Sequence, residues 1–505
     1  MAPPPALALV KRAVEHRKRR AIIARDGVYS YQDLLDASGQ MAAALLGGQK
    51  DLREKRVAYL VPPSFSHVAV QWGIWRAGGV AVPLAEFLPL PQMEYMIEDS
   101  DPAIVVAASS YKEKIKPLVE RVGRRFLAAE RALGTRPTTL PRISPERRAL
   151  IIYTSGTTGK PKGVVTTHAH IEAQVTSLVS AWEWTEKDHI LEVLPLNHVH
   201  GIINVLICAL YSGAACEILP GFDAAEVWGR FRRGGLTIFM AVPTIYAKLI
   251  AAWKSAPPKM RSKMSASLAQ MRLMVSGSAA LPKDVFYAWK AISGQALLER
   301  YGMTEIGMAL SNPLRGERTA GYVGTALPRV KVRLLDENGK PAMPGTPGEI
   351  HVRGPGVFSE YWRKPKATRG AFRDGWFRTG DLAVFENGRY RILGRSSVDI
   401  IKSGGFKLSA LEIEDTLRSH PGIDECAVVG LPDREWGERV AAAVVLKSGR
   451  RLTLASLREW AKERLTPYQV PSRLLFLEQL PRNPMGKVSK AEIVRLFPDK
   501  TDRAF

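Results

Sequence analysis

The sequence predicts an α/β fold with a large N-terminal body of helix-covered, mostly parallel sheets and a small β-barrel unit, followed by a small α+β C-terminal domain. Short β-rich runs such as residues 56–61, 103–106 and 236–240 alternate with amphipathic stretches of helical length such as residues 65–76. Beyond Ala320 short strands and turn-rich segments replace this alternation. From Ser397 onward the pattern is strand, helix, strand, helix.

The elements divide the chain at two places. Residues 1–20 hold an apolar stretch followed by basic residues, the reverse of a secretory signal, and we expect the first helix there. Residues 253–271, basic and rich in Met, are expected to form a surface connection. The barrel-like part covers about residues 320–396, and a break near Gly394 separates an N-terminal domain, 1–396, from a C-terminal domain, 397–505.

Composition excludes several classes of protein. Of 505 residues, 46% are hydrophobic, enough for buried cores and against disorder. The three cysteines lie far apart, which excludes a disulfide framework or zinc ribbon and indicates a reducing compartment, cytoplasmic or, in a eukaryote, the mitochondrial matrix. Apolar runs fall well short of the ~20 residues that span a bilayer, so no membrane span is expected.

The chain is strongly basic, with 72 Lys and Arg against 49 Asp and Glu and a net charge of +23. Almost all of the excess lies before residue 397, in short scattered clusters rather than in a stripe with interleaved aromatic residues. We therefore expect no nucleic-acid partner. A solvated basic surface is the leading interpretation, and attraction of anionic substrates or of a membrane surface is the alternative.

A phosphate-binding loop follows the apolar strand at residues 149–152. Its residues are Thr154, Ser155, Gly156, Thr157, Thr158, Gly159, Lys160, Pro161 and Lys162. Glycines let backbone N–H groups approach phosphate oxygens, while hydroxyls and lysines add donors and charge. The loop is not a Walker loop, because the glycine spacing differs and Pro161 replaces the required Ser or Thr. Composition alone agrees equally well with a Gly/Ser/Thr loop that binds no ligand.

This loop resembles the signature of the adenylate-forming acyl-CoA synthetases, which share a fold with firefly luciferase and peptide-synthetase adenylation domains. Further segments match the family in the expected order, and chance agreement of so many is negligible. They are residues 195–201, 276–282, 299–305, 376–381, 394–405 and 481–487. The resemblance implies a mobile C-terminal domain, and ATP, Mg²⁺ and coenzyme A as cofactors.

The resemblance also implies roles for individual residues. Residues 154–162 would hold the triphosphate, and Lys487 would bridge the attacking carboxylate and the α-phosphate. The other implied contacts are Tyr301 beside the adenine, Thr304 on the phosphate, Glu305 on the phosphate and Mg²⁺, Asp381 and Arg395 on the ribose, and His198 at the acyl pocket. Lys487, Thr304, Glu305 and His198 are the predicted catalytic residues. Taken singly, Asp381 could be a turn residue and Lys487 a solvated lysine.

In this family the small domain then rotates to present a different surface to coenzyme A. The matching loop is Ser403, Gly404 and Gly405, where glycines let a pantetheine arm pass close to the backbone. The hinge would be Ser397, a position at which many relatives carry Asp or Lys.

Arg300 indicates the acid that is activated. The run Glu299 to Glu305, with Arg300 before Tyr301, resembles the malonyl-CoA and methylmalonyl-CoA synthetases. A dicarboxylic acid keeps one free carboxylate after adenylation, and an arginine fork pairs such a group well in a desolvated pocket. The alternative is an internal ion pair with Glu299.

Two histidines complete the predicted acyl pocket. The two histidines have no third metal ligand nearby in the sequence, which argues against a zinc site. A polar pocket wall suits a small anionic acid better than an alkyl chain. The predicted acyl-binding residues are Arg300, His198, His200, Ser276, Ser278 and Met303.

The leading prediction is an AMP-forming malonate–CoA ligase with methylmalonate as a second substrate. The alternatives are a CoA ligase for a medium-chain or aromatic acid, a stand-alone adenylation enzyme that loads a carrier protein, and a non-catalytic binding protein. The chain ends shortly after Lys487, so we expect no fused carrier domain. The sequence leaves the oligomeric state open.

Overall fold

The computed structural model describes residues 7–154, 160–483 and 486–498. The strands, in chain order, are β1 (Arg20–Ala24), β2 (Gly27–Ser30), β3 (Arg56–Leu60), β4 (Val80–Pro83), β5 (Ile104–Ala107), β6 (Arg125–Ala128), β7 (Arg148–Thr154), β8 (Lys162–Thr167), β9 (His189–Glu192), β10 (Ala215–Ile218), β11 (Ile238–Ala241), β12 (Leu273–Ser276), β13 (Leu298–Met303), β14 (Gly307–Ser311), β15 (Thr325–Ala326), β16 (Lys331–Leu335), β17 (Gly348–Arg353), β18 (Glu360–Tyr361), β19 (Phe372–Arg373), β20 (Trp376–Glu386), β21 (Arg389–Arg395), β22 (Ile400–Ser403), β23 (Phe406–Ser409), β24 (Ile423–Asp433), β25 (Gly437–Leu446) and β26 (Arg473–Phe476).

The described residues also form α-helices, one 3₁₀ turn and one π-helix. The α-helices are α1 (Ala8–Glu15), α2 (Tyr31–Leu46), α3 (Phe65–Arg76), α4 (Leu90–Ser100), α5 (Lys112–Arg121), α6 (Ala129–Ala132), α7 (His168–Ala181), α8 (Cys208–Ser212), α9 (Ala224–Arg233), α10 (Pro243–Ser255), α11 (Pro258–Ser267), α12 (Lys283–Ser293), α13 (Pro365–Ala371), α14 (Ala410–Arg418), α15 (Leu454–Lys462) and α16 (Lys490–Leu496). A 3₁₀ turn covers Ser109–Tyr111, and a π-helix covers His200–Ile207.

Two large sheets form the body, as the alternating pattern predicts. The first has the order β15-β14-β13-β12-β11-β9-β10-β1-β2, and the second has the order β18-β8-β7-β4-β3-β5-β6. Their central pairs are parallel, for example β11 with β12 and β3 with β4. Both edges of the first sheet and the β18 edge of the second are antiparallel, whereas β6, at the other edge of the second sheet, is parallel to β5. The predicted mixed α/β class with helix-covered parallel sheets is confirmed.

Helix α3 is not amphipathic, and this part of the prediction is wrong. All of its residues are buried except Ser66 and Arg76, which are half-buried. The helix contacts β1 of the first sheet and β4 of the second, so protein covers it on opposite sides. Its polar groups find internal partners: a ring nitrogen of His67 bonds the carbonyl of Val61 at 2.8 Å, and Trp75 Nε1 donates to the carbonyl of Ala149 at 2.7 Å.

Most strands between residues 320 and 396 form a small antiparallel sheet of their own, the antiparallel unit, where a β-barrel unit is predicted; its closure into a barrel stays a prediction. Strands β16, β17, β20 and β19 pair in that order, and β21 pairs with β20. The long β20–β21 hairpin sets Asp381 directly opposite Arg395. This register brings two of the predicted site residues together.

The C-terminal unit, the described residues from 397 onward, has its own sheet of order β23-β22-β25-β24, with β26 parallel to β25. Two apolar clusters, one around Ile413 and Val428 and one around Ile493, fill its two sides. The predicted strand-helix alternation misses the β22–β23 and β24–β25 pairings. The proposed boundary lies in the turn between β21 and β22 and stays a prediction.

Residues 253–271 are not a mere surface connection, because they include the end of α10 and all of α11. Met264, Leu268 and Met271 are buried in the main core, which explains the high Met content. Within the described ranges, no helix combines the length and the apolar character that a membrane crossing needs.

Candidate active site

Asp381, Tyr301 and Arg395 form one hydrogen-bonded group. Tyr301 donates its hydroxyl to Asp381 Oδ2 at 2.6 Å, and Arg395 Nε donates to Asp381 Oδ1 at 2.9 Å. Burial, together with the charge and hydrogen bond of Asp381, raises the pKa of the Tyr301 phenol well above its usual range, so this hydroxyl is a donor. The predicted adenine and ribose residues are therefore adjacent, with the carboxylate held between a phenol and a cation.

Thr304 and Glu305 lie in the tight connection between β13 and β14. A side chain at Gly302 would meet the carbonyl oxygen of Gly307 at 2.1 Å, so only glycine fits there. Glu305 accepts the hydroxyl of Tyr361 at 2.9 Å through Oε1. Burial raises the pKa of Glu305, whereas the charges of Arg395 and Lys162 act to lower it.

Glu305 fits a Mg²⁺ site that is completed by substrate. Magnesium in nucleotide enzymes is commonly bound by one or two carboxylates together with phosphate oxygens and water. In the described part of the chain, no group of three or more His, Cys, Asp or Glu side chains could hold a metal by itself. Glu305, among groups of positive charge, is the carboxylate available for such a shared site.

The strands flanking the phosphate loop pair with each other. β7 and β8 are antiparallel, and Thr154 lies opposite Lys162, so the two ends of the loop meet. Ser155, Gly156, Thr157, Thr158 and Gly159 lie outside the described residues. Beyond them, Tyr95 donates its hydroxyl to the carbonyl of Pro161 at 2.8 Å.

Both loop lysines lie over tyrosine rings. The Nζ of Lys160 is 5.3 Å from the Tyr95 ring centre, and that of Lys162 is 5.1 Å from the Tyr361 ring centre. Since Tyr361 also binds Glu305, it connects the loop to the predicted metal ligand. Neither tyrosine was predicted from the sequence. β18, which carries Tyr361, has only two residues, and no motif marks either ring.

Arg300, Ser278 and His200 meet in the predicted acyl pocket. Arg300 is 4% exposed, and its Nη2 lies 3.4 Å from the Ser278 hydroxyl, which in turn lies 3.2 Å from His200 Nδ1. Arg300 Nε and His200 Nε2 are buried, and neither has a hydrogen-bond partner among the described residues. Burial lowers the pKa of Arg300 to about 9. Because a buried cation without a counter-ion is unfavourable, this group is prepared to receive an anion.

The alternative ion pair between Arg300 and Glu299 does not form. Successive residues of a strand point to opposite faces, and the two side chains leave β13 in different directions. Glu299 accepts the backbone N–H of Gly321 at 3.0 Å, and burial raises its pKa to about 8. Arg300 lies over Gly277, where an added Cβ would meet the guanidinium carbon at 2.6 Å.

His198 and His200 are both neutral at physiological pH. Burial and the charge of Lys487 lower the pKa of His198 to about 4. Burial and then the charge of Arg300 lower the pKa of His200 well below its usual range. His200 begins the π-helix, a geometry frequent at functional sites.

The remaining predicted acyl residues differ in their surroundings. Ser276 is fully buried at the end of β12, and within the described part of the chain its hydroxyl has no hydrogen-bond partner. Met303, at the end of β13, is half-buried against the apolar cluster of the antiparallel unit. Ser278 has a φ of 70°, in the left-handed region that non-glycine residues rarely occupy.

Lys487 belongs to the C-terminal unit. Solvent reaches it, yet surrounding protein lowers the pKa of its ammonium group, and the charges of Arg395 and Arg300 lower it further. The charge of Lys487 in turn lowers the pKa of His198. The C-terminal unit contacts the body through Lys283 and Asp415, 2.9 Å apart, and through Arg391 and Glu412.

The predicted coenzyme A loop lies elsewhere on the C-terminal unit. Ser403, Gly404 and Gly405 form the turn of the β22–β23 hairpin, and both glycines have positive φ. Gly404 donates its N–H to the carbonyl of Trp436 at 2.9 Å, and a Cβ there would strike the indole at 2.8 Å. Ser397 is exposed in the turn after β21, where the backbone N–H groups of Val398 and Asp399 donate to the carbonyl of Arg395.

Comparisons with known proteins agree with this geometry. Residues 9–362 match the family described as AMP-binding enzyme, and residues 412–487 match the AMP-binding enzyme C-terminal domain. The mitochondrial malonate–CoA ligase ACSF3 of Mus musculus is 47% identical, covering 96% of this chain and 90% of the relative. A malonate–CoA ligase of Arabidopsis thaliana is 41% identical, covering 94% and 86%. The crystal structure of ATP-bound MatB from Rhodopseudomonas palustris has a TM-score of 0.90 at 34% identity, covering 97% and 98%.

The chain belongs to the AMP-binding enzyme family. The resemblance seen in the sequence motifs is thereby confirmed, and so is the expected fold.

Proposed function

We propose that this protein is an AMP-forming malonate–CoA ligase. It would activate malonate with ATP to an acyl adenylate and transfer the acyl group to coenzyme A, which yields malonyl-CoA, AMP and pyrophosphate. The observation that carries the proposal is Arg300, a buried cation without a carboxylate partner in the described structure, beside Ser278 and His200. Two relatives named malonate–CoA ligases support the same substrate.

Arg300 selects the substrate by its charge. The carboxylate of malonate that does not react would pair with the guanidinium, and neutral His200 and Ser278 would complete its hydrogen bonds. A monocarboxylic acid would leave the buried cation unpaired. That penalty amounts to several kcal/mol and disfavours acetate and longer alkyl acids.

The adenylation step requires two anions to approach each other. Lys487 would lie between the attacking carboxylate and the α-phosphate, where its charge stabilises the developing negative charge. Asp381, held by Tyr301 and Arg395, would orient the ribose. Lys160 and Lys162 would bind the departing pyrophosphate. Thr304 would contact the phosphate, and Glu305 would hold Mg²⁺, which supplies positive charge against the phosphate when bound.

Thioester formation would follow after the C-terminal unit turns about Ser397. Lys487 would leave the pocket, and the Ser403-Gly404-Gly405 hairpin would approach the adenylate together with the pantetheine arm. Gly405 has no atom within 4 Å of a built Cβ, so the backbone is accessible there. His198 would lie near the acyl carbonyl as a neutral side chain.

A panel of acids tests the substrate. Purified protein with ATP, Mg²⁺ and coenzyme A should consume malonate at least about 100-fold more efficiently than acetate, benzoate or octanoate, as measured by AMP release. Methylmalonate should be the second-best acid. Preference for octanoate or benzoate would exclude the dicarboxylate assignment, and malonate-dependent pyrophosphate exchange without thioester would favour a carrier-loading enzyme.

The matching variant is Arg300→Ala. It should lower kcat/KM for malonate by about 100-fold or more while the KM for ATP stays within about threefold. Arg315→Ala, at an exposed arginine paired only with Glu183, is the control and should change neither. Equal loss with every acid would mean that Arg300 has only a structural role.

The compartment and the metal also belong to this proposal. We place the enzyme in the cytoplasm, or in the mitochondrial matrix of a eukaryote, since the Mus musculus relative is described as mitochondrial. Fluorescent tagging of the native gene product tests the compartment. Omission of Mg²⁺ with excess chelator should abolish malonate-dependent pyrophosphate exchange, and activity that persists would contradict a role for Glu305 in metal binding.

A further inference from the structure

Lys490 lies at the centre of a buried group of charges in the C-terminal unit. Its Nζ is 2.7 Å from Asp399 Oδ1 and 2.7 Å from Glu414 Oε1. The side chains of Lys490 and Glu414 are 9% and 8% exposed. Lys490 is the first residue of α16, so its ammonium group links this helix to the turn before β22, through Asp399, and to α14, through Glu414.

Asp399 extends this connection toward the nucleotide site. Its second carboxylate oxygen, Oδ2, accepts the backbone N–H of Arg395 at 3.0 Å. The side chain of Arg395 in turn donates to Asp381. Asp399 also packs closely on Gly394, where an added Cβ would meet the Cβ of Asp399 at 2.4 Å. Asp399 thus contacts the end of β21 through both its carboxylate and its stem.

Lys487 is joined to Lys490 by a short, hydrogen-bonded stretch of backbone. The carbonyl of Lys487 accepts the N–H of Asn483 at 2.8 Å, and its N–H donates to Asn483 Oδ1 at 3.0 Å. Two residues later, Ser489 donates its N–H to the carbonyl of Pro481 at 2.8 Å. Lys490 begins α16 immediately afterwards. A displacement of Lys490 would therefore move the backbone that carries Lys487.

A buried group of this kind is not the simplest way to stabilise a domain. Removing three charged groups from water is expensive, and well-packed apolar residues often stabilise as much or more. A bridged ammonium does fix the distance and direction between the elements that it joins. The adenylation step needs such precision, because Lys487 must lie within contact distance of both reacting anions.

We propose that Lys490 is a positioning residue for adenylation, which through Asp399 and Glu414 holds the Lys487 segment in register with the turn at Arg395. The inference rests on the proposed function for the reaction but not on the identity of the acid. All three charged groups belong to the C-terminal unit, so they would move together about Ser397. Thioester formation, in which Lys487 is withdrawn, should not depend on them.

The test compares the two half-reactions in the full-length protein. Lys490→Met should lower the kcat of acid-dependent pyrophosphate exchange by about 10- to 100-fold, with KM values for ATP and the acid within about threefold. AMP-dependent release of thiol from the acyl-CoA, which runs the second half-reaction backwards, should stay within about threefold of the wild type. Lys490→Arg, which keeps the charge, should restore most of the exchange activity.

Two controls show whether a loss of activity comes from lost positioning of Lys487, from lower stability of the C-terminal unit, or from an unsuitable acid. Lys462→Met removes an exposed lysine of the same unit that pairs with Glu459, and it should leave both half-reactions unchanged. Both assays are run with the acid that the wild type prefers, so an error in the malonate assignment does not affect the comparison. Equal losses in the two half-reactions, or no recovery in Lys490→Arg, would overturn the proposal. Exchange activity unchanged in Lys490→Met would overturn it too.

Discussion

The hydroxyl of Tyr301 donates to the carboxylate of Asp381 at 2.6 Å, although the two residues lie 80 positions apart in the chain. β13 carries the phenol, and the β20–β21 hairpin carries the carboxylate. If Asp381 binds the ribose as proposed, the sugar would lie where the first large sheet meets the antiparallel unit. The relative position of these two parts would then set the geometry of the proposed sugar site.

Tyr301→Phe should raise the KM for ATP by about tenfold. The variant removes one hydrogen bond to a charged group, worth about 1.5–3 kcal/mol, and Arg395 continues to hold Asp381. The KM for malonate should change less than threefold. Steady-state kinetics with each substrate varied in turn measures both values.

Tyr322→Phe is the matched control for that experiment. Tyr322 donates its hydroxyl to Glu386 at 3.0 Å, outside the nucleotide site, so its removal should leave the KM for ATP unchanged. A similar rise in both variants would mean that loss of any such bond loosens the antiparallel unit.

Gly277→Ala should damage malonate use selectively. The added methyl group would meet the buried Arg300 guanidinium at 2.6 Å and displace it from Ser278. We expect the KM for malonate to rise by at least about tenfold, since a displaced cation loses its hydrogen bonds to the carboxylate. The KM for ATP should stay nearly constant.

The control at a second glycine is Gly229→Ala. This residue lies in α9 with no atom within 4 Å of a built Cβ, and alanine favours the helix. Its kinetic constants should match those of the wild type. A normal malonate KM in Gly277→Ala would show that Arg300 moves aside freely and does not fix the substrate.

The buried Glu299 should make stability fall as the pH rises from about 5 to about 8. Burial raises the pKa of this carboxyl to about 8, so between its unfolded value and that value the folded state binds more protons than the unfolded state. The slope contributed by one such group is up to about 1.4 kcal/mol per pH unit. Thermal or urea unfolding at a series of pH values measures it.

Glu299→Gln should remove this part of the pH dependence. The amide oxygen can still accept the N–H of Gly321, and no charge has to be buried at high pH. The variant should therefore gain stability relative to the wild type at pH 8 and above. An unchanged slope in the variant would assign the pH dependence to another group.

Added salt should lower kcat/KM for malonate and leave kcat nearly unchanged. The net charge of +23 attracts anionic substrates over distances that salt screens, whereas the bound state is affected much less. Initial rates between about 20 and 300 mM NaCl test this. Repetition with a second salt of the same ionic strength separates screening from specific ion binding, and a kcat/KM independent of salt would leave the charge without a role in association.

Sequence motifs identified the family, the fold, the pairing of Asp381 with Arg395, and the placement of Arg300 with Ser278 and His200. Each motif combines a fixed backbone geometry with a chemically distinctive side chain, so its role can be predicted from the sequence alone. The polarity of α3 misled the prediction, because His67 bonds a buried carbonyl and its polar character is no sign of exposure. The central place of β25 in the C-terminal sheet was also beyond the local pattern, since its pairings with β22 and β26 join segments about 30 positions apart in the chain.

Tyr361 shows why part of the site could not be predicted. Its place beside Lys162 and Glu305 depends on the pairing of Tyr361 with Val164, nearly 200 positions earlier in the chain. A strand of two residues has no periodicity to detect. Lys490 was unpredictable for a related reason: nothing in its own neighbourhood distinguishes it from a solvated lysine until the turn at Asp399 and helix α14 are placed around it.

Because of the π-helix at His200–Ile207, the shape of the predicted acyl pocket depends on the number of residues in this segment as well as on their identity. A π-helical turn holds about one residue more than an α-helical turn, so the segment is equivalent to an α-helix carrying a single-residue insertion. Deleting one residue after His200 would restore the α-helical period and rotate the histidine relative to the apolar residues that follow it. The shape of this predicted pocket wall can therefore change by insertion and deletion while His200 itself is retained.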